Sequence, residues 1–579
     1  MSLRMIRMAT GTFWRIRVAV LVASTAALGS PALAAEVTPQ RLSDADREPQ
    51  NWLMNHRTYD GQRFSPLARI NRDSVKGLRL VYAVPLGGSA GNESNEATPL
   101  AEDGFVYITD SWGVLYKIDG TSGDVGRIVW RMDPKGERQT VNRGAALWGN
   151  LVISPANAPA RIIATDKASG KIVWETNVAF DVPQLQITGA PLAIKDKIII
   201  GASGGDRGLR DWIAALDAAT GKVLWRKFTV PAPGEPGSET WKSNAWQTGG
   251  GALWVTGTYD PDTNQTLWGV GNPVPQLDAR VRPGDNLFTN SVVSWDPDSG
   301  QMNWYFQYTP GDMWDYDEVG THIMFERVID GQVRKLVTHS ARNGFVYTMD
   351  RHNGAMVGAK PYTNVTWTAG IDQKTGKPLD YDSGKDVQTY SGLANPTPDA
   401  PVKQVCPNRN GGNNYYPSSY SPTTQLLYVP AMTACEFVSI DRDKPKTEKG
   451  WIPRSGGSFH VEDRYESNLT ALDPVTFEIK KSVHLRYPNY AGTLTTAGGL
   501  VFTALMDGTV AAYDDTSLEE LWKINVGSGF AAPPMTFEVN GRQYIAIASG
   551  PSGPARAKLM NTPELKDQRH ATVLYVFGL

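Results

Sequence analysis

A short strand, then Asp-x3-Gly, then three more residues and Trp recurs along this chain, and a tandem repeat restricts the fold more than composition can. The clear copies are Asp166/Gly170/Trp174, Asp217/Gly221/Trp225 and Asp296/Gly300/Trp304. Degenerate copies stand at Asp119, Asp350/Gly354, Asp473 and Asp514/Trp522, the last with Leu518 in place of glycine, which makes seven. Alternating or β-branched runs flank them, such as Lys197-Ile198-Ile199-Ile200 and Val510-Ala511-Ala512-Tyr513, and read as strands. Glycine (57), proline (38) and tryptophan (18) suit short strands and tight turns. Units of about 50 to 70 residues, each a hairpin-rich sheet with a tryptophan able to dock on its neighbour, predict an all-β, eight-bladed β-propeller whose closure protects the sheet edges. The gap between Asp350 and Asp473 has room for the eighth copy, and residues 35–579 form one domain in this reading. A solenoid or tandem sandwiches is the alternative, but no capping repeat or linker interrupts the series.

The first 34 residues carry Arg4, Arg7, Arg15 and Arg17 and no acid, then an apolar run from Val18 to Leu28, then Ala32-Leu33-Ala34. That order describes a secretory signal peptide cleaved after Ala34 and too short to span a membrane. Loss of its four arginines leaves 53 basic residues against 59 acidic ones, a balance without the footprint of a nucleic-acid or anionic-membrane binder. The expected destination is the periplasm or beyond, an oxidising space where Cys406 and Cys435, the two cysteines, can pair. Without Cys-x-x-Cys-His the chain cannot attach a haem covalently.

A P-loop, His-Glu-x-x-His and a dinucleotide glycine fingerprint are all absent. Gly87-Gly88-Ser89-Ala90-Gly91 fits a nucleophile elbow in letters only, because no helix pattern follows it. The seven histidines show no ligand spacing. The segment Thr309 to Glu318 is different, since it crowds Asp312, Asp315, Asp317 and Glu318 among aromatic residues. Like charges this close need a cation or an arginine, so the segment fits a hard-metal site, although a solvated acidic loop fits equally well. If it is extended, Asp315 and Asp317 face the same side.

Several blocks in order carry a resemblance over essentially the whole mature length. They are Trp52 to Asn71, Glu96-Ala97-Thr98-Pro99-Leu100, Asn142-Arg143-Gly144, Thr188-Gly189-Ala190-Pro191, Gly249-Gly250-Gly251, Arg282 to Asn286 and Arg342-Asn343-Gly344. The chain resembles the pyrroloquinoline-quinone (PQQ)-dependent alcohol dehydrogenases, the quinoprotein family related to methanol dehydrogenase. The resemblance implies that Glu96, Arg143, Thr188, Ser203, Gly204, Gly205 and Asn414 hold the acidic cofactor, with arginine, hydroxyl and glycine N–H groups meeting its oxygens. Trp254 matches the floor under the quinone, although the residue alone reads as one more packing tryptophan. Asn272 and Asp315 match metal-site residues, Asp315 doubling as general base, and Arg342 matches the cation that polarises the reactive oxygen. Cys406 and Cys435 match a family disulfide.

Departures carry further expectations. The family's metal-binding glutamate is Asp206 here, and Asp317 matches the extra aspartate of the lanthanide-using branch, so a lanthanide is expected ahead of calcium, which the same ligands accept. Glu137 and Arg138 stand where many members have adjacent cysteines over the quinone. Tyr490, a cofactor contact, replaces a tryptophan of methanol-type enzymes, Ala252 replaces a polar contact, and Ser549 to Lys558 lacks a capping tryptophan. Less bulk above the quinone implies a larger, secondary alcohol, with short primary alcohols or sugars as rivals. The resemblance further implies an external electron acceptor, a periplasmic cytochrome c, and leaves a homodimer among the expected assemblies. A non-catalytic propeller scaffold would share the tryptophan repeats without Glu96, Arg143, Asn272, Asp315 and Arg342 together.

Overall fold

The computed structural model describes residues 35–579 except 89–93, 137–140, 181, 391–398, 400–401, 444–455, 462–463, 551–560 and 569. The expected leader, Glu137, Arg138 and most of the Ser549 to Lys558 stretch therefore lie outside the described residues.

The repeat builds a four-stranded antiparallel sheet, and its Asp-x3-Gly element is the turn between the third and fourth strands. In the second sheet Ala146–Trp148, Leu151–Ala156, Arg161–Asp166 and Ile172–Asn177 lie side by side in chain order. The Gly170 N–H donates to Asp166 O at 2.9 Å, and Asp166 Oδ1 accepts the Ser169 N–H at 2.7 Å. Gly170 closes this turn at φ +72, where a side chain is strained. The same five-residue turn recurs at Asp217, Asp296, Asp350, Asp473 and Asp514. In the last two Phe477 (φ 61) and Leu518 (φ 53) occupy the glycine position in the same left-handed conformation. The Asp119 copy makes a tighter turn, Gly123 N–H to Gly120 O at 2.9 Å.

Four tryptophans explain the glycine of the next copy. The Trp174 indole N–H donates to Ala218 O at 3.2 Å, and a Cβ on Gly221 would meet the Trp174 ring at 2.4 Å. Trp130 lies likewise against Gly170, Trp225 against Gly300 and Trp304 against Gly354. Neighbouring sheets thus meet through one ring laid on one turn, which a larger residue would wedge apart.

Eight sheets of this four-strand type form among the described residues, one of them extended by the two-residue Phe64–Ser65. The eighth is not in the gap after Asp350. It consists of Met535–Val539, Arg542–Ser549 and Val573–Gly578, with Arg79–Pro85 from the other end of the chain as its edge strand. Because that strand arrives from the N-terminal side, the sheet has no third-to-fourth turn and leaves no Asp-x3-Gly signature. The gap instead carries long loops, a three-stranded sheet of Val402–Val405, Glu436–Ile440 and Gly457–His460, and the Cys406–Cys435 disulfide.

Inner strands are buried on both sides, as at Ile198, Ile199 and Ile200, whereas fourth strands such as Val223–Phe228 alternate between burial and exposure. In a four-stranded meander the second-to-third loop and the connection to the next sheet leave from the same edge. Arg143, Thr188, Trp254, Asp315, Asp317 and Tyr490 lie on connections between sheets, and Ser203 to Asp206, Asn272 and Arg342 on second-to-third loops. That shared edge is where the site forms.

Candidate active site

These loops enclose a cavity of about 480 Å³ lined by Arg143, Thr188, Ser203, Gly205, Asp206, Trp254, Asn272, Asp315, Asp317, Arg342, Asn414 and Tyr490. Trp254 is half-buried, not laid on a repeat glycine, and the Arg143 guanidinium carbon stands 4.5 Å from its ring centre. Glu96 lies behind this wall with no exposed side-chain surface and pairs with Arg143 at 2.7 Å. The Arg143 guanidinium also donates to Thr188 Oγ1 at 2.8 Å, and that hydroxyl donates to Ser203 Oγ at 3.0 Å. One wall therefore presents a fixed cation and two hydroxyls, a set suited to a carboxylate-bearing ligand. Asn414 is held by its own backbone turn, its amide donating to Asn410 O at 3.0 Å.

Another part of the lining is acidic. Asp312 accepts the backbone N–H groups of Trp314 and Tyr316, both at 3.1 Å, and so folds the segment into a loop in which Asp315 has φ 63. The segment is not extended, yet both Asp315 and Asp317 reach the cavity. Asp317 accepts the Asn272 N–H at 2.8 Å, and pairs with Arg342 and the Trp254 indole. Asp315 Oδ1 is buried with no hydrogen-bond partner. Burial pushes the Asp315 carboxyl well above the usual carboxylate range; Arg342 opposes this, and Asp317 and Asp206 reinforce it. Burial likewise raises Asp317 against the pull of Arg342.

Two expectations meet a different local geometry. The Gly204 N–H turns from the cavity to donate to Asp211 Oδ2 at 2.9 Å, and Gly205 N–H bonds the same buried carboxylate. A Cβ on Gly204 would meet Leu209 at 2.4 Å, so close packing accounts for that glycine. Among the described residues, no three His, Cys, Asp or Glu side chains converge as an ion cage. Here Asp317 is engaged by Arg342, and Asp206 Oδ1 accepts the Gln276 amide at 2.7 Å. The donors nonetheless fit a multivalent cation, because buried hard oxygens share one cavity and Asp315 Oδ1 has no other partner.

A family model described as PQQ: glucose/ethanol/alcohol dehydrogenase, β-propeller domain, matches residues 52–366 and 466–545. The chain belongs to the PQQ-dependent alcohol dehydrogenases. It is 35% identical to a quinohemoprotein alcohol dehydrogenase of Comamonas testosteroni over 93% of this chain and 79% of the relative. It is 33% identical to a quinoprotein ethanol dehydrogenase of Pseudomonas putida over 92% and 91%. A europium-containing methanol dehydrogenase superposes with a TM-score of 0.83 at 28% identity, covering 93% of this chain and all of that one. The enzyme is thus an oxidoreductase built on a β-propeller.

Residues to which the sequence assigned no site role hold this dehydrogenase's site in shape. Arg282, fully buried, donates to Pro275 O at 2.7 Å, Gln276 O at 2.8 Å, Asn286 Oδ1 at 2.9 Å and Asp312 O, tying the Asn272 loop to the acidic loop. Tyr415, next to Asn414, lies 6.3 Å from Tyr490 in a parallel stack and 5.2 Å from the Arg143 guanidinium. Its place after Asn414 was the available signal; nothing local marked Asp211 or Gln276.

Proposed function

We propose that the enzyme oxidises a bulky secondary alcohol to its carbonyl with PQQ and one metal ion in the 480 Å³ cavity. The observation that carries this reading is one cavity that holds both a cationic, hydroxyl-bearing group and buried acids, with Arg143 and Asp317 each contacting Trp254. Arg143, Thr188, Ser203 and Asn414 would hold the carboxylates of the cofactor, Glu96 would fix Arg143, and Trp254 and Tyr490 would supply apolar faces. Gly204 and Gly205 would serve by close packing, their N–H groups being engaged by Asp211.

Asp206, Asn272, Asp315 and Asp317 would hold the ion. A third carboxylate favours a lanthanide over calcium, and the europium-containing relative is in keeping with that choice. Two elevated acids beside one arginine cannot both ionise cheaply; a multivalent cation offsets the repulsion and lets Asp315 act as a base. When bound, PQQ supplies the two-electron acceptor that no side chain here provides. Asp315 takes the proton of the substrate hydroxyl at Oδ1, and Arg342 places a fixed positive charge beside the acceptor.

The count of eight four-stranded sheets supports eight blades docked through the tryptophans. Ala252 and Tyr490 at the cavity leave room for a bulky carbinol. An external cytochrome c takes the electrons, the quinohemoprotein relatives being named for a haem that this chain has no motif to attach covalently. Secretion through residues 1–34 places the reaction in the periplasm, and no helix among the described residues is long and apolar enough to cross a membrane. The test is dye reduction by apoprotein reconstituted with PQQ and either lanthanum or calcium, across short primary, bulky secondary and sugar alcohols. The reading expects fastest turnover on secondary alcohols with lanthanum. Preference for methanol, ethanol or sugars would overturn the substrate assignment.

A further inference from the structure

Besides Asp312, which folds the loop, the acidic segment contains another carboxylate that the reaction does not use. Glu318, next to Asp317, has no exposed side-chain surface. Its Oε2 accepts the Arg342 backbone N–H at 2.8 Å and its Oε1 the Asn343 N–H at 3.2 Å. Asp317 grips the guanidinium of the same arginine. Two consecutive acids therefore hold one arginine at its two ends. The Gly412 N–H donates to Arg342 O at 2.9 Å and Arg342 Nε donates to Arg409 O at 2.6 Å, so its backbone N–H, its carbonyl and its guanidinium are all engaged.

Glu318 is itself held. His339, on the strand Gln332–Ser340, places Nε2 3.1 Å from Glu318 Oε2 and Nδ1 3.4 Å from Thr321 O. Both ring nitrogens thus face acceptors. The His339 ring stacks on His322 at 4.2 Å with 12° between planes, and His322 Nε2 lies 2.9 Å from the Tyr308 hydroxyl. A Cβ on Gly320 would stand 3.0 Å from His339 Cε1, so the ring's place there requires a glycine. A buried carboxylate that only capped a turn would not need a stacked imidazole pair and a tyrosine behind it.

We propose that Glu318, oriented by His339, is a positioning residue that sets the reach of the Arg342 guanidinium toward the electron acceptor. The proposal rests on the reading of Arg342 given above. It makes the chain from Tyr308 through His322, His339 and Glu318 to Arg342 a support for turnover, although none of the first four lines the cavity.

Three variants test it: Glu318→Gln, which keeps size but sets an amide N–H against the backbone N–H of Arg342 or Asn343; His339→Phe, which keeps the stack but loses the donor; and His339→Gln, which restores a donor. In the PQQ- and lanthanum-loaded enzyme, Glu318→Gln and His339→Phe are expected to lower kcat about tenfold or more, since small misplacements of a reacting group are costly, with the alcohol KM within about twofold. His339→Gln should return kcat to within about threefold of the parent. In the apoprotein, amide hydrogen exchange at Arg342 or Asn343 should quicken about tenfold in Glu318→Gln, because one of the two acceptor oxygens becomes a donor. The proposal is overturned if kcat stays within twofold in both slow variants, if His339→Gln is as slow as His339→Phe, or if exchange is unchanged. Should His339→Phe fail to fold, Glu318→Gln decides by the same criteria. A parent protein that oxidises no alcohol would refute the proposed function, and the exchange result alone would then decide whether Glu318 grips this backbone.

Discussion

Breaking the Glu96–Arg143 pair separates stability from cofactor capture. The Glu96 side chain has no exposed surface, that of Arg143 is 11% exposed, and 2.7 Å separates their charged atoms. Arg143→Ala leaves a buried carboxylate without its cation, a change that costs about 3–5 kcal/mol in comparable pairs. Replacing both partners by neutral residues of similar volume removes the uncompensated charge, so Glu96→Gln/Arg143→Met should recover most of that loss and stay within about 1–2 kcal/mol of the parent. Cofactor capture should not recover, because the double variant still lacks the fork that meets a carboxylate. The assay is urea unfolding of each apoprotein by tryptophan fluorescence, followed by dialysis with PQQ and lanthanum and the absorbance of retained quinone. A double variant as unstable as Arg143→Ala would refute the electrostatic account of the wall. One that retained quinone at the parental stoichiometry would refute the role of Arg143.

Gly221→Ala should destabilise by the strain of φ +73, about 1–2 kcal/mol, plus about 1–3 kcal/mol for pressing a methyl against Trp174. Gly149→Ala, at φ +55 with nothing within 4 Å, should show the strain alone; equal losses on urea unfolding would contradict ring-on-turn docking. Burial raises Asp110 from 3.8 to about 6 and Glu436 from 4.5 to about 8. The folded state then binds protons that the unfolded state has released, so the two together erode stability as pH rises from about 4 to about 8. Melting points across this range should fall, and Glu436→Gln should flatten the slope above pH 6; an unchanged slope would sink the assignment. Asp315→Asn should cut kcat by about 10²–10⁴ while PQQ remains bound, and full turnover would remove the base.

The repeat was legible because its signal is local. One aspartate caps the turn, one glycine closes it, and one tryptophan 40 to 75 residues earlier lies against that glycine. The eighth sheet was illegible for the opposite reason: its edge strand, Arg79–Pro85, pairs with Val573–Gly578 at the far end of the chain. The site residues sit on separate loops, so no spacing could assemble them, and only the order of family blocks brought Arg143, Trp254, Asp315 and Arg342 together. What that order could not reveal was competition from distant partners. Asp211 takes the Gly204 N–H, Gln276 takes an oxygen of Asp206 seventy residues away, and Glu318 is spent on Arg342 and Asn343.

The most direct measurement is anomalous scattering from crystals of the protein loaded with PQQ and lanthanum. The account places one strong peak among Asp206, Asn272, Asp315 and Asp317, with Arg342 released from or sharing Asp317 and a planar ring lying on Trp254. A peak elsewhere, or an empty cavity with Trp254 unstacked, would contradict it.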